Sequence, residues 1–410
     1  MNFRSITKQL GKATLCGSLL LSLLCATPAK THENHFSPSQ KSLSLISLEG
    51  IKLESYVESY ADIVYRNYLD TRLQAVKLQA AIDAFVKNPN LATQQTAKNA
   101  WIQARKSYLQ TEAFRFYEGP IDYIDPNTGE EGPEGRINAW PMNEAFIDYV
   151  RENPNSGIIN NQKLKISIKT ILENDQVTDE ADVTTGWHAI EFLLWGQDFN
   201  AEGPGQRTYQ DFMADIANNN RRREYLEIVT KQLVKDLTFL ENQWQPNANN
   251  YRASFIKKNP QENMGKIFTA LATLSAFEMS SERMAVALDS GDQEDEHSCF
   301  SDTTHLDYIY NQRGIRNVYF GEYGDFKGQG FNELMARVNP ELNQKIIAKL
   351  NKTERNIGMI HEPFDRVLAS QKGSQLRQQV ELAIESLEAQ AKLFQELGET
   401  LGAKVEILAE

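Results

Sequence analysis

The chain is short of cysteine, of basic charge, of strand-like runs and of enzyme nucleophile motifs, and each shortage removes a class of protein. It holds 3 cysteines in 410 residues. Cys16 and Cys25 fall in the first thirty residues, which leaves Cys299 alone in the expected mature chain. One cysteine forms no internal disulfide, so stability must come from packing. Cys299 reads as a small buried residue, with a ligand role as the rarer alternative. The formal net charge is −12. Without basic patches the chain is not expected to bind nucleic acid, because phosphate neutralisation needs them. An acidic protein suits the handling of cations, though many acidic proteins bind none. Alternating strand patterns are scarce throughout. The zincin motif HExxH is absent, and so is its inverse HxxEH, because Phe192 follows Glu191. No GxSxG elbow and no GxxxxGK phosphate loop occurs. Ligands are easier to find here than a nucleophile.

What is present begins with a leader. Arg4, Lys8 and Lys12 precede a short apolar run, Leu15 to Leu24, and Thr27-Pro28-Ala29 offers a small-residue cleavage site. The run is too short for a stable transmembrane helix, and no later stretch resembles one. Residues 1–29 are therefore expected to be a signal peptide, and the mature protein to be exported to the periplasm or cell envelope. Leu24 before Cys25 departs from the small residue that a lipid-anchor site calls for, which disfavours an anchor there. Residues 30–49, rich in Ser, His and Pro, read as a flexible lead-in.

Hydrophobic residues make up 41% of the chain, enough for a sizeable core. From about 52 to 87, Leu53, Tyr56, Val57, Tyr60, Val64 and Tyr68 keep the 3–4 spacing of an amphipathic helix. Asn88-Pro89-Asn90 breaks it, and Thr93 is expected to cap a second helix running to about 116. Residues 118–140, dense in Gly, Pro and Asp, read as a long ordered loop. Helices are expected near 142–152 and 161–173, then over 209–244. The Asn-rich stretch to Asn250 is the expected boundary between a 50–248 domain and a 249–410 domain. The second half is expected to hold a helix over 262–289, an irregular region over 290–331, and helices near 332–351, 353–370 and 373–401. The fold class that follows is all-α, built of two helical-bundle-like domains. Ala81-Ile82-Asp83 and Pro363-Phe364-Asp365 each precede a break and a long helix, a faint trace of duplication.

Three polar clusters stand out. The most specific lies in TTGWHAIEFLLWGQDF, residues 184–199, where His188 and Glu191 interrupt a strongly apolar run. Three residues apart, they share one helical face. A buried carboxylate must be paired, protonated or bound to a cation. The pair is half of a metal site, or else a hydrogen bond that orders the core. The second cluster is Trp101, Arg105, Tyr108 and Glu112, spaced 4, 3 and 4 on one helical face. It reads as a binding face or as an Arg–Glu pair at a domain edge. In the third, Glu278, Glu282 and Asp289 share a helical face, and Asp295, Glu296, His297, Asp302, His305 and Asp307 follow. Carboxylates with imidazole suit iron, zinc or manganese, and all-oxygen sets suit calcium or magnesium.

Gly186-x-His188-x-x-Glu191 matches the GxHxxE signature of the imelysin family. The strings TGWHAIEFLLWGQD, GPGQRTY and HSCFSDTTHLD resemble the branch of that family named for a cyanobacterial iron-regulated protein A. The resemblance runs from about residue 50 to the C-terminus. It implies an exported, all-helical protein of two duplicated bundle-like domains, with the GxHxxE helix at the cleft between them. It also implies a link to iron acquisition and to an envelope iron-transport system. The family was first classed as metallopeptidases, but a catalytic zinc takes three protein ligands, a water and a nearby base. The motif supplies two ligands and no separate base. By the resemblance, His188 and Glu191 are metal ligands, with iron as the expected metal and zinc as the alternative. The residues alone add Glu112, Asp302 and His305 as further metal-ligand candidates and Arg105 as an orienting group. Zinc metallopeptidase and a metal-free recognition module that holds a peptide or small anion through Arg105 are the competing readings.

Overall fold

The computed structural model describes residues 48–200, 202–214 and 216–407. The expected leader, Cys25 and nearly all of the lead-in lie outside them. Among the described residues the protein is helical, with one hairpin of two two-residue strands, Glu322–Tyr323 and Phe326–Lys327. The scarcity of alternating patterns thus led to the right class.

The longest helix, Glu54–Lys87, buries Tyr56, Val57, Tyr60, Val64 and Tyr68 as the spacing predicts. It packs along Leu91–Tyr108 and along Ala217–Trp244. The second helix starts three residues earlier than the expected cap at Thr93. Asn90 is the N-cap, and Thr93 completes its capping box. Asn90 Oδ1 accepts from the Thr93 N–H at 3.1 Å, and the Asn90 N–H donates to Thr93 Oγ1 at 3.2 Å. Two residues of the first turn thereby satisfy each other's orphan donors. That helix passes into a 3₁₀ segment, Leu109–Phe114.

In the second half, Gln375–Leu401 packs on Pro340–Ile357 and on Pro260–Thr273. Pro260–Thr273 continues as a π-helix, Leu274–Ala285, before Val286–Ser290. The wider π spacing brings residues five apart together, so Arg283 meets Glu278 rather than a group four residues away. The expected irregular region 290–331 contains a full helix, Thr304–Phe320, whose weak apolar stripe hid it. The expected helix near 353–370 is instead the end of Pro340–Ile357 followed by the short Asp365–Leu368. Residues 142–152 and 161–173 hold only Glu144–Ile147 and Ile168–Glu173, with the short helix Gly157–Asn160 between them. The two triplets that suggested duplication sit in unlike settings, one inside Glu54–Lys87 and one at the start of Asp365–Leu368.

The described residues form one compact unit. The Leu109–Phe114 segment packs on Thr304–Phe320 and on Pro260–Thr273, so elements on either side of residue 248 share a core. At that contact a Cβ on Gly314 would lie 2.3 Å from the Gln110 carbonyl oxygen, so only glycine permits the approach. A division into 50–248 and 249–410 remains an expectation.

Candidate functional site

The GxHxxE segment is the helix Gly186–Trp195, and all ten of its residues are buried. It packs between Leu91–Tyr108 and Ala217–Trp244. Gly186 has φ +85°, and a Cβ there would stand 2.4 Å from the Ile137 carbonyl oxygen. The glycine of the motif is thus required by backbone conformation and by close packing at the helix start. At the other end the GPGQRTY loop closes over the helix. The Arg207 N–H donates to the Trp195 carbonyl, and the Gly205 N–H to the Phe300 carbonyl.

His188 and Glu191 meet as their spacing predicts, with His188 Nδ1 2.9 Å from Glu191 Oε2. The other Glu191 oxygen accepts the Ser301 backbone N–H at 3.0 Å and the Ser301 hydroxyl at 2.6 Å. On its far side the His188 ring turns Nε2 toward Arg105, whose Nη2 is 3.3 Å away. The same Nη2 lies 3.3 Å from Nδ1 of His297. His297 Nδ1 is also 2.8 Å from Asp307 Oδ2, which takes the Ser298 hydroxyl as well. Asn138, on the short helix Glu134–Asn138 in the expected loop, accepts a hydrogen bond from Arg105 Nη1. Asp307 Oδ1 is 3.7 Å from Arg105 Nε. Two imidazoles, each tethered to a carboxylate, therefore flank one guanidinium. The two rings are 4.9 Å apart, centre to centre. Trp101, Tyr108 and Trp187 present ring faces to Arg105 within 6.0 Å. Those faces favour the cation and exclude water from it.

Burial decides the charge states. It holds His188 well below the usual imidazole range, and the Arg105 cation pushes it the same way. Burial likewise holds His297 down, with Arg283 and Arg105 adding to it. Glu191 is pushed up to about 8 by burial, against the hydrogen bonds from Ser301 that lower it. Both rings are therefore neutral at pH 7, the form of imidazole that binds a metal.

The remaining candidates do not converge on His188. Glu112 is fully buried and gives Oε2 to Arg283 at 2.7 Å and to Arg115 at 3.0 Å. Burial alone would raise its pKa, but the two guanidiniums outweigh it and hold Glu112 at about 2. His305 pairs with the exposed Glu362 through Nε2 at 2.8 Å. Asp302 lies with Asp198 and Asp365, its carboxyl oxygens without a partner beyond those two acids. Arg105 faces His188 as expected. His297 and Asp307, which the third cluster includes but the expected ligand set leaves out, stand in the same HSCFSDTTHLD string as the chosen Asp302 and His305. Ten residues apart, they give no helical spacing to mark them as a pair.

The donor types fit iron or zinc, since neutral imidazole with carboxylate suits either. In the arrangement seen, a guanidinium stands between the two rings, so a metal can meet His188 Nε2 only as Arg105 withdraws. Neither His188 nor Glu191 lines the surface pockets of about 280 and 490 Å³ that border Tyr251 and Arg313 respectively.

Comparison with known proteins agrees with the fold. The imelysin family model matches residues 64–394. The chain belongs to the imelysin family. A curated imelysin relative is iron-regulated protein A of Synechococcus elongatus, 25% identical over 328 residues, covering 77% of this chain and 78% of that protein. A crystal structure described as an iron-regulated protein A precursor, from Parabacteroides distasonis, superposes with a TM-score of 0.65 at 18% identity. It covers 85% of this chain and 94% of that one. An imelysin-like protein from Psychrobacter arcticum gives 0.61 at 14% identity, covering 87% and 97%. At those identities the two structures establish the imelysin fold alone. Among the described residues no helix is long and apolar enough to cross a membrane.

Proposed function

We propose that this protein is an exported metal-binding component of iron acquisition, with iron as its cargo and the His188–Glu191 centre as the place where the metal acts. The observation that carries the reading is that two carboxylate-tethered, neutral imidazoles flank a single internal cation. Carboxylate–imidazole pairing orients a ring and raises its basicity as a ligand. Glu191 does this for His188, and Asp307 for His297. Arg105 supplies the positive charge in the state seen, so the centre tolerates a cation between its rings. The relation to iron-regulated protein A supports iron over other metals. Delivery to an envelope iron-transport system belongs to the same reading. Of the expected ligands His188 is retained, with Glu191 as the group that orients it; His297 with Asp307 forms a second such pair, and Arg105 gates the approach. Zinc in the same centre, with a peptidase activity, is the competing reading.

The test is metal content by mass spectrometry on untagged protein exposed to equimolar iron, zinc, manganese and copper. Wild type is compared with His188→Ala. Stoichiometric iron that is lost in the variant supports the reading. Equal metal in both overturns the site. Zinc alone, with chelator-sensitive cleavage of an unfolded substrate, replaces it with the peptidase.

A further inference from the structure

A second cluster of acids lies beside this centre, and none of the groups described above uses it. Asp198 follows the Gly186–Trp195 helix, Asp302 precedes Thr304–Phe320, and Asp365 opens Asp365–Leu368. Each offers one carboxyl oxygen to a group whose atoms all lie within 4.8 Å of one another. These are not surface acids, being 5%, 8% and 1% exposed in that order. Both oxygens of Asp302, both of Asp365 and one of Asp198 have no hydrogen-bond partner beyond one another's carboxyl groups. The other Asp198 oxygen accepts from the backbone N–H and side-chain amide of Asn200 at 2.9 and 3.2 Å.

A fourth acid points to a ligand independently. Glu296 is 0% exposed, neither of its oxygens has a full hydrogen-bond partner, and its carboxyl group reaches Asp365 and the Thr304 side chain. Thr304 favours its charged form, but burial and Asp365 outweigh it. Among the strongest influences on Asp198, Asp302 and Glu296 there is no cationic side chain. Arg366, next in sequence to Asp365, reaches outward to Glu202 at 3.5 Å. Four buried carboxyl groups without a counter-charge cost a folded protein heavily, unless protons or a cation sit among them. Burial, then Asp365 and Asp198, push Asp302 up to about 9, which measures how poorly the cluster holds its charge unaided.

We propose that Asp198, Asp302, Asp365 and Glu296 form a binding site for one hard divalent cation of the calcium type, separate from the His188 centre. The donors are all oxygen, with no imidazole or thiol, which selects hard cations over zinc or copper. His305, close in sequence, has its Nε2 engaged by Glu362. Calcium takes ligands at about 2.3–2.6 Å in flexible geometry and accepts irregular sets of carboxylates, whereas magnesium demands a near-ideal octahedron and keeps several waters. Backbone oxygens and water complete such a shell. The cation would tie three segments together: the end of the GxHxxE helix, the 296–303 loop and the 365–368 helix. That loop also carries His297 and Ser301, so a cation here braces the second imidazole and the donors to Glu191.

The experiment uses the mature chain stripped with chelator, titrated with calcium chloride by calorimetry at pH 7.5 and melted with and without 1 mM calcium. The variants are Asp302→Asn, Asp365→Asn and His188→Ala. One calcium per chain is expected for wild type and for His188→Ala, with a clear rise in melting temperature. Asp302→Asn and Asp365→Asn should lose at least tenfold in affinity and show no rise. Without calcium these two should melt no lower than wild type, because each removes a crowded charge, so misfolding does not account for the loss. If either nevertheless fails to fold, Asp198→Asn takes its place. No calcium bound to wild type, or an undiminished shift in the Asp→Asn variants, overturns the proposal. Loss of calcium in His188→Ala overturns the separation of the two sites. Failure of iron binding at His188 leaves these expectations unchanged.

Discussion

Arg105 Nη2 stands 3.3 Å from Nε2 of His188 and 3.3 Å from Nδ1 of His297, so one guanidinium nitrogen lies between the two rings. The two helices that carry Arg105 and His188 are packed on each other, while His297 comes from a loop more than a hundred residues later. Arg105 depresses the basicity of both imidazoles. Replacing it with methionine keeps the stem's packing against Trp101 and Tyr108 and removes the charge. Arg105→Met should raise the His188 pKa and increase metal affinity at the centre at least tenfold. Imidazole proton shifts followed by NMR against pH, beside a metal titration, check both. Metal affinity that falls in this variant would make Arg105 a group that binds the ligand rather than one that withholds the site.

Ser301 gives Glu191 two donors, its backbone N–H and its hydroxyl. Ser301→Ala removes only the hydroxyl and leaves the backbone bond. A hydrogen bond between neutral groups contributes about 0.5–1.5 kcal/mol and one to a charged acceptor about 1.5–3 kcal/mol. With its pKa at about 8, Glu191 is largely protonated at pH 7, so the smaller loss is expected there in denaturant unfolding, growing as pH rises past 8. The Glu191 pKa should rise further, because a group that favours the carboxylate is gone. A loss that does not grow with pH would mean that Glu191 stays protonated and needs no second donor.

The fold class and the first half of the centre were legible because they obey local rules. The 3–4 spacing of Tyr56 to Tyr68 marks a helix whatever it packs against, and the spacing of three between His188 and Glu191 brings the two side chains together on any helix. What joins the pair was not legible. His297 reaches Arg105 from a loop and Asp307 from the first turn of the helix after it, and the path of that loop is set by Ser301 on Glu191 and Gly205 on Phe300, contacts with no local spacing. Glu112 shows the opposite failure. The 4-3-4 spacing put it with Arg105, but the helix tightens to 3₁₀ at Leu109, and the side chain ends on Arg115 and Arg283 instead. The Glu278–Arg283 contact was hidden for a similar reason, since only a π-helix pairs residues five apart.

Glu112 sets an acid-stability expectation. Its folded pKa of about 2 lies below the ordinary carboxylate value of 4.5. A carboxylate depressed on folding adds stability above its unfolded pKa and loses it as pH falls through the folded value. A shift of this size corresponds to about 3 kcal/mol, present above about pH 5 and gone near pH 2. Glu112→Gln should therefore be markedly less stable than wild type at pH 7. Two buried guanidiniums lose their shared counter-charge, a class of change that costs about 3–5 kcal/mol. The difference should narrow steadily between pH 4.5 and pH 2. Urea unfolding at several pH values reads it, and a gap independent of pH would mean that shape, not charge, is what Glu112 supplies.

Gly186 makes the strictest demand of the GxHxxE motif and binds nothing. Its φ of +85° is a conformation that a Cβ strains, and the Ile137 carbonyl oxygen occupies the space a Cβ would take. Ile137 belongs to the same short helix as Asn138, which holds Arg105. Moving that carbonyl aside would therefore shift the guanidinium as well. Gly186→Ala should cost about 3 kcal/mol or more, combining left-handed backbone strain with a steric clash that only backbone movement relieves. Its signature is distinct from that of His188→Ala, which leaves the helix start intact. Gly186→Ala should lower the melting temperature and also disturb the His188 and His297 imidazole signals, although neither ring is changed. Full stability in Gly186→Ala would show that the Glu134–Asn138 turn can yield, and would remove packing as the reason for glycine at the head of the motif.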